Sequence, residues 1–306
     1  MKKASAASMG AMDSKPAPDP AGTASGGKRL SADAVERYRR DGILFPIDVM
    51  PAAEAAENLR RLEAVEAANG GRLAGRIGQK PHLLFPWMTA IVRHPAILDA
   101  VEDVLGPNLF CWGGQFFAKD RSDPSYVSWH QDATYWGLSS PDVVTAWVAL
   151  TPSRRENGCM RVVPGTHRTQ VAHQDTFAEA NLLSRGQELK VAVDESAAVD
   201  VVLEPGQMSL HHVLIFHGSE ANRSPDLRRV GFAIRYVPTY VHQTSGIKES
   251  ALLVRGVDDY HHFEHEQDPE SEMHPAAVAR HKAVIDRQMQ ILYAGAKQRG
   301  KRVTAD

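Results

Sequence analysis

Two textures of hydrophobic and polar residues divide the chain near Asn108. Before it, apolar positions recur at helical spacing between start and stop signals. Ser31 with Asp33 and Glu36 behind it supplies an N-cap and first-turn acids, and Gly42 a stop, so a helix is predicted between them. Gly42 to Pro46 reads as a short strand, and Pro51 to Ala68 as a long helix ending before Gly70-Gly71. Pro95 to Leu105 is a further helix, with proline at its first position and Gly106-Pro107 beyond its end.

After Asn108, short segments rich in Val, Phe, Trp and Tyr are cut by Gly, Pro, Asn and Asp. They are Leu109–Ala118, Tyr126–His130, Val143–Leu150, Met160–Val163, Val199–Leu203, Met208–His212, Val213–His217 and Arg229–Val237. No helix follows each one, so the strands are antiparallel rather than βαβ units. The expected fold is mainly β: a double-stranded β-helix, a jelly-roll or cupin-like sandwich with its core at about 108–240, buttressed by N-terminal helices. Pro275–Ala294 is expected to add a helix at the end.

Composition narrows the function classes. The chain has 306 residues, 43% hydrophobic and 24% charged, values of a globular protein. Lys and Arg number 35 against 37 Asp and Glu, so no net basic field exists to hold a nucleic-acid backbone. No uncharged apolar run approaches the ~18 residues of a membrane span. Two cysteines, Cys111 and Cys159, make neither a disulfide framework nor a cysteine zinc site, and a reducing cytoplasm is the expected home. Residues 1–28 are poor in apolar side chains and are expected to form a disordered tail, with Met9 and Met12 as alternative starts. Residues 29–306 are then one catalytic domain, monomeric or homodimeric.

Fourteen histidines direct attention to metal chemistry. Trp129-His130-Gln131-Asp132 ends a strand, where residues two apart share a face, so His130 and Asp132 would project together. A strand-end histidine beside a turn aspartate is the plain alternative. Ile215-Phe216-His217-Gly218-Ser219 follows 87 residues further on, with Asn222, Ser224 and Arg228-Arg229 behind it. Two histidines and one carboxylate form the facial ligand set of non-haem iron oxygenases, which leaves three metal positions open. A bidentate 2-oxo acid and dioxygen would fill them, and a buried arginine on a neighbouring strand can fork the far carboxylate of the acid.

Other histidines compete. On one continuous strand His211 would share the face of His217 while His212 pointed away. His167, His173 and His242 read as turn, loop or surface residues. His261-His262 with His265 reads as a second metal tract or, interleaved with Asp258, Asp259 and Glu264, as a solvated face.

The ordered set from Gln115 to Tyr236 resembles the phytanoyl-CoA dioxygenase family of iron(II)/2-oxoglutarate-dependent oxygenases. The resemblance rests on Gln115–Lys119, Trp129–Asp132, Thr145–Leu150, Glu156–Met160, Val163–His167, and His217 through Asn222, Ser224, Arg228 and Arg235-Tyr236. With Lys80–Leu83 and Pro95–Pro107 it covers roughly 200 of the 306 residues. It implies that His130, Asp132 and His217 hold Fe(II), and that Arg228 pairs with the distal carboxylate of 2-oxoglutarate, Arg229 being its rival. It further implies that Gln115, Thr145 and Ser219 add hydrogen bonds to 2-oxoglutarate and that Lys119 and Trp147 line the same region. Halogenating relatives carry a small residue in place of the ligand carboxylate, so Asp132 implies hydroxylation, with dioxygen consumed and succinate and CO2 released.

The loop leaving the metal motif places Tyr135 and Trp136 as candidate substrate contacts, with His82 as a further wall residue. The expected substrate is a small organic molecule. A non-redox, cupin-like metal binder is the alternative in a different class, and desaturation or ring formation in natural-product metabolism the alternative oxidative outcomes.

Overall fold

In a computed structural model, the structure describes residues 27–73 and 75–296. Most of the tail expected at residues 1–28 lies outside them. In chain order the elements are α1 (Ala32–Asp41), β1 (Ile43–Asp48), α2 (Ala52–Ala68), α3 (Pro86–Val92), α4 (Pro95–Leu105), β2 (Leu109–Lys119), β3 (Val127–His130), β4 (Val144–Ala149), β5 (Arg161–Val163), β6 (His173–Asp175), β7 (Gln187–Leu189), β8 (Val199–Asp200), β9 (Gln207–His212), β10 (Phe216–Ser219), β11 (Arg229–Pro238), β12 (Ser250–Arg255), β13 (Glu264–His265) and α5 (Pro275–Leu292).

The helix ends obey the chemistry that predicts them. The Ser31 hydroxyl accepts from the Ala34 amide, and Gly42 closes α1 at φ 75°. Pro95 opens α4 and Gly106 ends it.

A seven-stranded sheet runs β1-β9-β4-β11-β2-β12-β13 and faces a four-stranded sheet, β3-β10-β5-β8. Together they are a double-stranded β-helix. Strand alternation decides what each face holds. On β11, Val230, Phe232, Ile234 and Tyr236 pack outward against the helical layer with Leu62, Met88, Ile97 and Val101. The other parity, Arg229, Gly231, Ala233 and Arg235, points into the sandwich. Ala233 and Trp147 of the large sheet meet Val162 and Met160 of the small-sheet side there. The helices therefore brace one sheet while its opposite face is free to build a site.

Three expectations change. Val213–His217 is not one strand: residues 213–215 turn, and the chain passes from β9 in the large sheet to β10 in the small one. Only Val199–Asp200 of the Val199–Leu203 segment is strand. The helix α3 and the strands β6, β7, β12 and β13 were not anticipated, being too short to show a period.

Candidate metal and cosubstrate site

His130 and His217 are register partners on the adjacent strands β3 and β10, so one sheet presents both imidazoles to the interior. Their ring centroids are 4.0 Å apart. His130 Nδ1 lies 2.9 Å from the Ser128 carbonyl and 3.1 Å from that of His217, and His217 Nδ1 lies 3.0 Å from the Ile215 carbonyl. A carbonyl only accepts, so each Nδ1 carries the proton and each Nε2 turns a lone pair to the cavity.

Asp132 completes the set from a turn rather than from the strand. β3 stops at His130, and the Asp132 amide donates to the Val213 carbonyl at 3.0 Å. Gln131 between them is fully buried. Its side-chain amide donates to the carbonyls of Thr169 and Leu214 and its oxygen accepts from the Val171 amide, which pins the turn. Asp132 Oδ1 stands 3.3 Å from His130 Nε2 and 4.0 Å from His217 Nε2. All three ligand atoms lie within 4.8 Å of one another, the single such metal-ligating cluster among the described residues. Two imidazole nitrogens and one carboxylate on one side of a cavity fit a divalent transition metal with open positions.

Burial opposes ionisation of Asp132, yet its neighbours His130, His217 and Arg235 outweigh it and hold the carboxyl far below its ordinary value. Burial, then the neighbouring His130, pushes His217 well below its ordinary value, keeping it neutral as a ligand must be.

A cavity of about 420 Å³ opens from these ligands towards β4, β9 and β11. Across it lies Arg229, 2% exposed, with Nε and Nη2 unpartnered. Its guanidinium carbon is 5.4 Å from the Trp147 ring centroid, and burial lowers its pKa to about 10, which still leaves it charged. Trp147 reaches this position because residue 231 is glycine: a Cβ there would stand 2.0 Å from Trp147 Cζ2. The Thr145 hydroxyl, also buried and unpartnered, lines the same cavity. Ser219 lines it too and accepts from Lys119 Nζ at 2.7 Å. Lys119 itself stands behind Ser219, its pKa lowered to about 6 by burial and then by Arg229.

Arg228 is a correction. It precedes β11, outside the cavity, where Nε meets Asp120 at 2.8 Å and Nη2 meets both Glu66 oxygens at 2.8 Å. It lies beside Glu66 and Asp120 in a different cavity and does not line that of the metal. Gln115 lines the neighbouring cavities but not that of the metal. His82 is fully buried, its Nε2 3.8 Å from Cys111 Sγ on the helix side of β2, and it lines none of these cavities.

Tyr135 and Trp136 line a second cavity that adjoins the first. The Tyr135 hydroxyl donates to Asp175 at 2.6 Å, and the Arg185 guanidinium lies 3.7 Å above its ring. His211 was a rival for the distal ligand. It is buried on the opposite sheet, its ring 5.1 Å from that of His217, with Nδ1 unpartnered and its pKa lowered to about 4 by burial. Among the described residues the His261–His265 stretch forms no metal cluster; His265 pairs with Asp258 at 2.9 Å. Arg235, which sequence reasoning singled out only within a motif, lines both cavities beside Asp132.

A jelly roll with two histidines and one aspartate at an interior cavity is the architecture of non-haem iron oxygenases. The sequence matches the phytanoyl-CoA dioxygenase (PhyH) family over residues 38–230, and the chain belongs to that family. It is 29% identical over 161 residues to a probable alpha-ketoglutarate-dependent hypophosphite dioxygenase of Stutzerimonas stutzeri, covering 51% of this chain and 56% of that protein. It is 26% identical over 223 residues to the ectoine dioxygenase of Bordetella parapertussis, covering 64% of this chain and 72% of that one. The first two curated relatives are thus spanned over only about half their length. Among solved structures, the apo form of the non-heme monooxygenase ThoJ is 38% identical, with TM-score 0.75 over 85% of this chain and 97% of that one. CytC3 with Fe(II) and alpha-ketoglutarate is 25% identical, with TM-score 0.60 over 81% and 96%.

Proposed function

We propose that the protein is an Fe(II)- and 2-oxoglutarate-dependent dioxygenase that hydroxylates a C–H bond of a small organic molecule. The observation that carries this is the unpartnered, buried Arg229 facing His130, Asp132 and His217 across one cavity. A metal binder without a cosubstrate has no use for a desolvated guanidinium whose donors point at nothing, because burying such a group costs several kcal/mol on the order of magnitude seen for buried ions. A diacid supplies the missing partner. Family membership and likeness to the iron and alpha-ketoglutarate complex of CytC3 support the same reading.

In this reading His130, Asp132 and His217 hold the iron, and Arg229 takes the far carboxylate of 2-oxoglutarate. Thr145 and Ser219 offer hydroxyls to the same cosubstrate, and Trp147 walls it from water. Lys119 positions Ser219. When bound, the iron and the 2-oxo acid supply the oxidising power: one oxygen atom of O2 enters the C–H bond of the substrate, the other enters succinate, and CO2 leaves. The chain itself fixes ligand geometry, holds each histidine Nδ1 on a backbone carbonyl so that Nε2 faces the metal, and places one C–H bond near the open side of the metal. Asp132 occupies the place that a halide would need, which favours hydroxylation.

The described residues include no helix long and apolar enough to cross a membrane. Cys111 and Cys159 are buried free thiols, which supports a reducing, cytoplasmic home.

Anaerobic titration of the Fe(II) protein with 2-oxoglutarate tests the assignment. A weak visible charge-transfer band is expected, absent from His130→Ala and from Arg229→Ala. No band with any 2-oxo acid would overturn it.

A further inference from the structure

Beyond Asp132 a second cavity of about 760 Å³ adjoins the metal cavity, and Phe117, Asp132 and Arg235 belong to the walls of both. Two of its charged groups have no ligand in the assignments above. Arg235 makes no hydrogen bond or ion pair with the described residues. Its Nε is buried and unpartnered, and its guanidinium carbon lies 5.3 Å from the Trp136 ring centroid. Glu249 is 1% exposed. Its Oε2 accepts from Trp112 Nε1 at 2.9 Å and Gln243 Nε2 at 3.1 Å, while Oε1 has no partner.

The aromatic pair Trp112 and Trp136 joins these two groups, with ring centroids 4.8 Å apart. The cavity thus has a cationic end at the metal, an aromatic wall, and an anionic position beside Trp112. A half-buried arginine with a buried, unpartnered Nε and a buried, unpartnered carboxylate oxygen are each costly alone and are each satisfied by an opposite charge. Their being held apart by tryptophan, rather than paired with one another, leaves that charge to a ligand. Burial raises the pKa of Glu249, and the Lys80 charge works against the rise.

We propose that this cavity takes a small amphoteric acid of the amino-acid type, its carboxylate on Arg235 and its ammonium on Glu249. The proposal rests on the dioxygenase reading of the metal site and names its substrate class. Arg235 lines the metal cavity as well, so the carboxylate end lies nearest the metal. The oxidised carbon is then one of the first carbons from the carboxylate, not the distal end of the molecule. The reaction is balanced as R–H, 2-oxoglutarate and O2 giving R–OH, succinate and CO2.

Calorimetry and thermal shift on the Ni(II)- and 2-oxoglutarate-loaded protein test this with the proteinogenic amino acids, their methyl esters and their N-acetyl derivatives. At least one free amino acid is expected to bind and raise Tm, and its ester and N-acetyl forms to bind about ten-fold or more weakly, as sites built around polar groups reject analogues lacking them. Arg235→Gln should erase the preference for acid over ester, with Arg235→Lys restoring part of it. Glu249→Gln should erase the preference for amine over N-acetyl.

Equal binding of esters and acids, or no binding by any free amino acid to protein that still takes metal and 2-oxoglutarate, overturns the proposal. So does an Arg235→Gln variant that loses 2-oxoglutarate as strongly as it loses the acid, which would make Arg235 a cosubstrate residue. Failure of the wild type to bind 2-oxoglutarate at all would instead refute the dioxygenase reading beneath it.

Discussion

Trp147 packs into the space that a side chain at Gly231 would fill, and Arg229, two residues back along the same strand, carries its guanidinium 5.4 Å from that indole. The glycine makes room for the tryptophan, and the tryptophan walls the arginine. Gly231→Ala would put a methyl group into the ring, and the rigid indole and backbone leave little slack. Such overpacking costs about 1–3 kcal/mol. Urea unfolding should report that loss, together with weaker 2-oxoglutarate binding because the wall has moved. An alanine variant with unchanged stability and unchanged affinity would contradict the contact.

Arg228 and Arg229 separate cleanly by experiment. Truncating one partner of a buried ion pair costs about 2–5 kcal/mol, or roughly thirty-fold to several-thousand-fold in affinity. Arg229→Ala is expected to weaken 2-oxoglutarate binding by that order. Arg228→Ala breaks contacts to Glu66 and Asp120 and should leave the cosubstrate constant near wild type while lowering stability. The reverse pattern in anaerobic titrations would return the role to Arg228.

Metal binding should stabilise the fold, since the ligand atoms are brought together only in the native state. At a hundred times the dissociation constant the gain is about 2.7 kcal/mol. Differential scanning calorimetry with and without Ni(II) should show an upward Tm shift that disappears in His130→Ala. A shift surviving that substitution would place the metal elsewhere.

Lys119 makes stability depend on pH in a definite direction. Its folded pKa, near 6, lies below the unfolded value near 10.5, so between those limits the unfolded chain binds more protons. Stability contributed through this group therefore rises with pH across that window, by up to about 1.4 kcal/mol for each pH step of one. Lys119→Met should flatten the curve between pH 6 and 10. An unchanged slope would mean that the ammonium stays charged in the fold.

The parts of the site written in local pattern were readable in the chain. Ser31 and Gly42 announce α1, and His130, Asp132 and His217 announce a metal by residue type. Arg229 was within reach of the same logic: the apolar positions 230, 232, 234 and 236 claim one face of β11 and leave 229 on the other. Adjacent arginines hid it, since the tie is broken only by knowing where the strand begins. The turn at residues 213–215 was not readable, because its apolar run looks the same as a strand that continues. Nor was the unpartnered state of Arg235, which depends on side chains brought from Trp136 and Asp132 by the fold. His82 looked like a wall residue for want of knowing which side of β2 it packs on.

The three metal ligands all hang from the small sheet and the turn beside it, whereas Arg229 hangs from the large one. A 2-oxo diacid seated between them would act as a strut across the sandwich, gripped by iron at one end and guanidinium at the other. Opposed sheets stand roughly 10 Å apart, so the gap is also a ruler for the length of the acid. The enzyme should then prefer the five-carbon diacid over its four- and six-carbon homologues. Loading it, more than loading the metal alone, should slow amide exchange on both sheets together.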